Sequence, residues 1–368
     1  MTAVLGVAWT APASGQTAAT SDNTAYGSTA AEFLLLGAGA RGAALGGSFA
    51  ALANDIEALY WNPAGVALLE RPGVTFGTYS YLADTRYSWA GLALPMSGGA
   101  RAVGIHGGTF GFANQPVYTV ENPEGDGSTY SVRQTYIGLT YAQNFSDRFS
   151  AGVTGKFISD VLGRTSGSGF ALDFGTSFHA TVGPRPIRAS FVIQNLGSTI
   201  QHDGSGLDVS VRRNQPVGQL DLPQEGQPAR LRTKDFGLPV LFRVGLAFDF
   251  VNSASSRVTA LGEFNQPNNT NAGAGAGLEW ALTNLGTTGM SVMARGSYNY
   301  QADNTLDADA TAAGFDTDLS SKEGLDGLAL GGGLAYHGRT GFGISVDYAY
   351  KHMGVLGGTN FFSATLHW

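Results

Sequence analysis

The chain ends on Asn360-Phe361-Phe362-Ser363-Ala364-Thr365-Leu366-His367-Trp368, and the reading of these nine residues decides the fold. Side chains of a β-strand point alternately to opposite faces. Phe362, Ala364, Leu366 and Trp368 therefore share one face, and Ser363, Thr365 and His367 the other. The segment before it repeats the pattern. Phe342, Ile344, Val346, Tyr348 and Tyr350 oppose Gly343, Ser345, Asp347, Ala349 and Lys351. Further upstream, Phe170, Leu172, Phe174 and Phe178 oppose Ala171, Asp173, Gly175 and Ser177. In 240–250, Val240, Phe242, Val244, Leu246, Phe248 and Phe250 oppose Arg243, Gly245, Ala247 and Asp249.

Working outward with this period places about fourteen strands near 73–83, 85–96, 100–113, 129–144, 149–162, 168–181, 186–197, 238–252, 256–266, 271–283, 289–301, 326–337, 341–353 and 360–368. All are long enough to cross a hydrocarbon core when tilted, which takes about 9–11 residues. They are also longer than the strands of about 5–6 residues usual in a soluble sandwich. An even count of alternating strands predicts an all-β fold, a transmembrane antiparallel β-barrel.

The connections give an independent test. Such barrels have short periplasmic turns and longer outer loops. The three longest links, near 114–128, 198–237 and 302–325, are the third, seventh and eleventh, all odd. Even links such as 144–148, 181–186 and 338–341 are tight. The odd links are therefore expected outside, carrying acidic residues such as Asp303, Asp307, Asp309, Asp316 and Asp318.

Composition agrees. Charged residues make up 13% and glycine 54 of 368 residues, against about 25% and about 7% in ordinary globular domains. A hydrophobic content of 43% excludes disorder. No apolar run is long enough for a transmembrane helix. Zero cysteines exclude disulfides and thiolate chemistry, and a net charge of −7 argues against nucleic acid as a partner. The six histidines show no metal-ligand spacing and no Gly-x-Ser-x-Gly elbow occurs, so no enzyme, metal or cofactor is predicted.

Opposite the apolar stripes, the register turns eleven charges inward. They are the bases Lys156, Arg188, Arg243, Arg295 and Lys351, and the acids Asp160, Asp173, Asp249, Glu263, Glu279 and Asp347. Five bases against six acids is a near balance. It points to a salt-bridged, hydrated lumen rather than a charge-selective pore. The terminal Phe362, Leu366 and Trp368 suit an interfacial girdle and resemble a barrel-assembly signal.

The N-terminal part divides in two. Residues 1–29 read as a signal-peptide remnant, ending near Ala11-Pro12-Ala13, and a low-complexity spacer. Residues 30–72 do not alternate and are too apolar to stand free. They are expected to form a luminal plug, or hatch, with short helices, inside the barrel of 73–368. Asn62-Pro63 is a helix start, with Asn capping and Pro at the first helical position. Arg41 needs an acidic partner there, from Asp55, Glu57 or an inward wall carboxylate. Gly37-x-Gly39-x-x-Gly42 mimics a dinucleotide fingerprint but lacks the βαβ context.

The stretch 33–67 resembles the N-terminal signature of the PorV/PorQ family of outer-membrane proteins. The shared residues are Gly39, Arg41, Gly46 and Gly47, the turn at Asn54-Asp55, and Tyr60-Trp61-Asn62-Pro63 with Gly65. Supporting matches are 193–197, 238–245 and 347–350. That family is similar to FadL-type transporters, which share the Asn-Pro-Ala element in a luminal hatch. The resemblance implies a fourteen-stranded FadL-like fold in the bacterial outer membrane. It also implies a part in type IX protein secretion, with secretion-system proteins and cargo C-terminal domains as partners of the outer loops. The alternative it implies is passive transport of a hydrophobic ligand. Beyond outer-membrane lipid, no other partner is expected.

Overall fold

The computed structural model describes residues 27–96, 98, 100–120, 122–211, 226–283, 285, 289–301, 327–338, 341–353 and 357–368. The proposed signal-peptide remnant and most of the spacer lie outside these, as does the whole of the eleventh link.

Fourteen antiparallel strands close into a barrel. In chain order they are β1 (Gly73–Ser80), β2 (Arg86–Met96), β3 (Arg101–Pro116), β4 (Thr129–Ser146), β5 (Phe149–Leu162), β6 (Thr165–Val182) and β7 (Arg185–Gly197). After a short hairpin of β8 (Asp208–Val211) and β9 (Gln227–Arg230) come β10 (Leu241–Asn252), β11 (Ser256–Pro267), β12 (Gly273–Leu282), β13 (Met290–Gln301), β14 (Leu328–His337), β15 (Gly343–His352) and β16 (Gly358–His367). β7 pairs directly with β10, and β16 closes on β1, setting Val74 against Leu366 and Thr75 against Thr365.

Burial follows the alternation. Phe170, Leu139 and Phe76 face outward at 65%, 65% and 53% exposure, and the neighbours that alternate with them are mostly small or polar and covered. An apolar belt this continuous would be unstable in water; in a bilayer it is the favoured surface. No helix among the described residues is long and apolar enough to cross a membrane, which leaves the strands as the crossing elements.

Three strands run further than periodicity alone indicated. β3, β4 and β6 reach Pro116, Ser146 and Val182, because hydrogen-bonded pairing continues after the apolar alternation ends. The seventh link also differs from a plain loop. Ile200 and Phe236 pair across it, and Ile200 and His202 are buried against the barrel mouth.

Inside the wall, residues 30–69 fold as short turns: 3-10 helices Glu32–Leu35 and Pro63–Leu68, and helices α1 (Ala40–Ala44) and α2 (Ala58–Trp61). Phe49, Leu52, Ile56, Leu59, Tyr60 and Val66 are almost wholly covered, so this segment is itself the core of the molecule.

Candidate functional site: a hatch across the lumen

The hatch meets the wall by two kinds of contact. Toward β10–β16 they are polar. Arg41 lays its guanidinium on Glu279 of β12 in a two-pronged pair, Nε to Oε2 and Nη2 to Oε1, each 2.9 Å. Its Nη1 donates to Asp55 Oδ2 at 2.7 Å and to Asn54 Oδ1 at 3.0 Å. Glu279 also receives Arg295 at 2.8 Å and Arg257 at 3.1 Å, and Arg295 goes on to Asp347 at 2.5 Å. Four strands and the hatch thus share one ionic network. A carboxylate so placed offsets the desolvation of Arg41, which would otherwise be prohibitive. Burial alone would lower the affinity of Arg41 for its proton; Glu279 and Asp55 outweigh that and raise it.

A second polar knot lies beside it. Arg243 donates to Gly47 O at 2.9 Å and Glu263 at 3.0 Å, while Glu263 accepts from Ala50 N at 2.9 Å. The Arg243 guanidinium also sits over the Trp61 ring, 4.9 Å from its centre. Ser297 donates to Ala44 O at 3.0 Å, and Asn299 to Gly46 O. From the last strand, Ser363 Oγ accepts from Ala40 N at 3.1 Å.

Toward β2–β6 the hatch meets glycine. Leu59 packs on Gly91 and Gly104, and Asn62-Pro63 lie against Gly152 and Gly175. A Cβ on Gly175 would come 2.2 Å from Asn62 Oδ1. Asn62 caps the Pro63–Leu68 turn by accepting from Ala64 N at 3.1 Å, and its Nδ2 donates to Ala50 O at 3.0 Å and Thr176 O at 3.2 Å. One side chain thereby ties two hatch segments to the wall.

Within the hatch, the other signature residues hold its own turns. Tyr60 donates to Leu34 O at 2.8 Å, and burial pushes its hydroxyl up to about 12. Trp61 Nε1 donates to Ala38 O at 2.7 Å. Gly39 has φ +78°, and a Cβ there would come 2.0 Å from the Glu57 carboxyl. Gly65 is pressed on Ala53 O in the same way. Glu57, one of the three partners open to Arg41 in sequence, takes Gly42 N at 3.0 Å and Ser363 Oγ at 3.3 Å instead. Burial, with Asp55 and Asp347 adding repulsion, pushes Glu57 up to about 8.

Most of the remaining inward charges also pair. Lys156 meets Asp173 at 2.6 Å and Asn195 at 2.9 Å; Arg188 meets Asp249, which also accepts from Thr259 at 2.7 Å. Asp160 lies 3.2 Å from His202 of the seventh link. Lys351 lines the lumen without an ion pair among the described residues. At the terminus Phe362 and Trp368 point outward, 54% and 52% exposed, with Leu366 beside them at 37%.

Two groups escaped the sequence reading. Tyr79, Tyr87, Trp89, Tyr136 and Phe361 turn inward as a stacked aromatic sector, with Tyr79 and Phe361 ring centres 4.1 Å apart. Parity carries the signal, since Tyr79 has the phase of Thr75 and Gly77. The second group is Ile200, His202 and Phe236 on the folded-in link.

Between the hatch and the odd-link end lies a cavity of about 930 Å³. Its walls include Phe33, Leu36, Tyr81, Phe110 and Phe361 on one side and amides of β11–β13 on another.

Barrel, hatch and cavity define a class: an outer-membrane barrel closed by its own N-terminal segment. The model of an uncharacterised protein family, UPF0164, matches residues 4–104, which span the hatch and the first two strands. No curated protein matches the chain. Among solved structures, the toluene transporter TodX of Pseudomonas putida superposes with a TM-score of 0.51 at 12% identity, covering 90% of this chain and 97% of TodX. The Ralstonia pickettii toluene transporter TbuX gives 0.52 at 13%, covering 91% and 98%. The CymD monoaromatic hydrocarbon channel gives 0.52 at 13%, covering 90% and 97%. At such identities the likeness is one of fold. The fold is FadL-like, and its location is the bacterial outer membrane.

Proposed function

We propose that this protein is a hatch-gated passive transporter for small molecules with an apolar part. The observation that carries this reading is the cavity of about 930 Å³ at the odd-link end, walled by aromatic rings and floored by the hatch. Cavities of about 300–1,000 Å³ lined by apolar side chains and a few polar groups are the usual form of small-molecule sites. The three barrels of like fold are described as transporters or channels for toluene and monoaromatic hydrocarbons, and none as an enzyme. Uptake of the fluorescent hydrophobic probe 1-N-phenylnaphthylamine tests it. Cells expressing the chain in the outer membrane should take the probe up several-fold faster than cells without it. Gln134→Trp, which fills the cavity from β4, should remove the gain. Equal rates with and without the chain would sink the reading.

A second reading, a PorV/PorQ-like component of type IX secretion, is favoured by one observation. An ionic network shared by four strands lies across the lumen and holds Arg41 of the hatch, a seal suited to a scaffold. The outer loops, 198–237 and 302–325, would then bind cargo or attachment proteins. Mass spectrometry of proteins pulled down from outer membranes separates the two: translocon or attachment proteins must be present for the secretion role to hold.

A further inference from the structure

The polar half of the cavity narrows the class of ligand. Asn265 at the end of β11 and Asn269 in the following turn both line it. Among the described residues, the Oδ1 atoms of both are buried with no hydrogen-bond partner. For Asn269 the orientation is fixed, because its Nδ2 donates to Glu32 Oε1 at 3.3 Å. Its oxygen is therefore the end left over. A buried acceptor without a donor is costly and calls for a partner. Lys351, on the same cavity, has three N–H donors and no ion pair among the described residues. The cavity thus offers two unfilled acceptors and one donor group beside an aromatic wall of Tyr81, Phe110, Phe236 and Phe361.

These valences discriminate between ligands. A hydrocarbon fills none of them. An ionised carboxylate accepts from Lys351 but has no proton for Asn265 or Asn269, and it adds negative charge near Glu32 and Asp160, which line the same space. A hydroxyl both donates and accepts, so a molecule with several hydroxyls serves both amide oxygens and the ammonium. An apolar group attached to it would lie on the aromatic wall.

We infer that the cavity binds an uncharged, hydroxyl-rich amphiphile of the glycoside type, the sugar on Asn265, Asn269 and Lys351 and the apolar part on the aromatic wall. This rests on the transport reading and specifies its substrate class.

The test uses the full chain in lipid nanodiscs and three probes sharing one ring: phenyl β-glucoside, benzoate and toluene. Calorimetric titration should rank phenyl β-glucoside about tenfold or more above the other two. The double variant Asn265→Leu/Asn269→Leu should weaken it about tenfold, the equivalent of one to two hydrogen bonds. Should that variant fail to assemble, the ranking on the unaltered protein decides alone. Benzoate or toluene binding as tightly as the glucoside would overturn the inference and leave transport standing. Binding of none would overturn both. Doping the nanodisc with a monoglycosyl diacylglycerol identifies the source: competition with phenyl β-glucoside marks a lipid headgroup, and no competition marks a free solute.

Discussion

The hatch leans on two unlike walls. Toward β10–β16 it is held by named polar contacts, Arg41 on Glu279, Arg243 on Gly47 O and Ala50 N on Glu263, each with a required direction and distance. Toward β2–β6 it is held by fit, Leu59 and Pro63 seated where Gly91, Gly104, Gly152 and Gly175 leave room. The first wall is strong but conditional, since a buried pair loses its balance once either partner goes. The second is weaker per contact but insensitive to charge. A gate built this way has a natural hinge side and a natural latch side. On the transport reading, the ionic face would serve as the latch, because its contacts depend on charge.

The largest effect should come from breaking the latch. Glu279→Leu leaves Arg41, Arg257 and Arg295 facing one another around an apolar side chain. Removing one member of such a buried network typically costs about 3–5 kcal/mol. Planar-bilayer recordings should show new ion-conducting openings as the hatch leaves its seat. Conductance like that of the unaltered protein would mean the ionic wall is not the latch.

Crowding the other wall is the next test. Gly175→Val sets a Cβ into Asn62 Oδ1, and overpacking of this kind costs about 1–3 kcal/mol. The thermal transition should fall without new conductance, since the ionic wall still holds. A smaller loss follows from Asn62→Ala, which removes a helix cap worth about 0.5–2 kcal/mol. Its effect should add to that of Glu279→Leu and not to that of Gly175→Val, because only the latter shares its contact.

A lever of another kind, which changes no residue, is pH. Glu57 titrates at about 8 in the folded hatch against an ordinary 4.5. The folded state keeps a proton that the unfolded chain gives up between those values. Stability from this group is complete below about pH 4.5 and declines as pH rises toward about 8. Melting measured across that range should slope downward, and Glu57→Gln should flatten the slope. An unchanged slope in the variant would remove Glu57 as its source.

The two walls also differ in how far the sequence revealed them. The barrel was legible because period two is a local property, visible in nine residues such as 360–368. The inward charges followed from the same parity. The demand of Arg41 for an acid was equally clear, but the choice of Asp55 and Glu279 over Glu57 was not. Glu57 lies near Arg41 in sequence, whereas Glu279 is 238 residues away and is brought there only by barrel closure. Glycine positions on the other wall looked like composition, because a missing side chain says nothing about what fills its place. The inward aromatics Tyr79 and Trp89 have the phase of the inward face, but an aromatic ring suits lipid and a packed lumen alike. The inward fold of the seventh link left no periodic trace, as Ile200 and Phe236 meet across 36 positions of sequence.

Ser363 ties all of this to time. Its hydroxyl accepts from Ala40 N across 323 residues and donates to Glu57, yet it stands in the last strand made. The hatch is synthesised first and cannot finish seating until the final strand arrives and closes on β1. Closure of the ring and docking of the hatch are therefore one late event. Contacts of such separation fold slowly. Until then the apolar residues of the hatch lack the wall that covers them in the finished barrel.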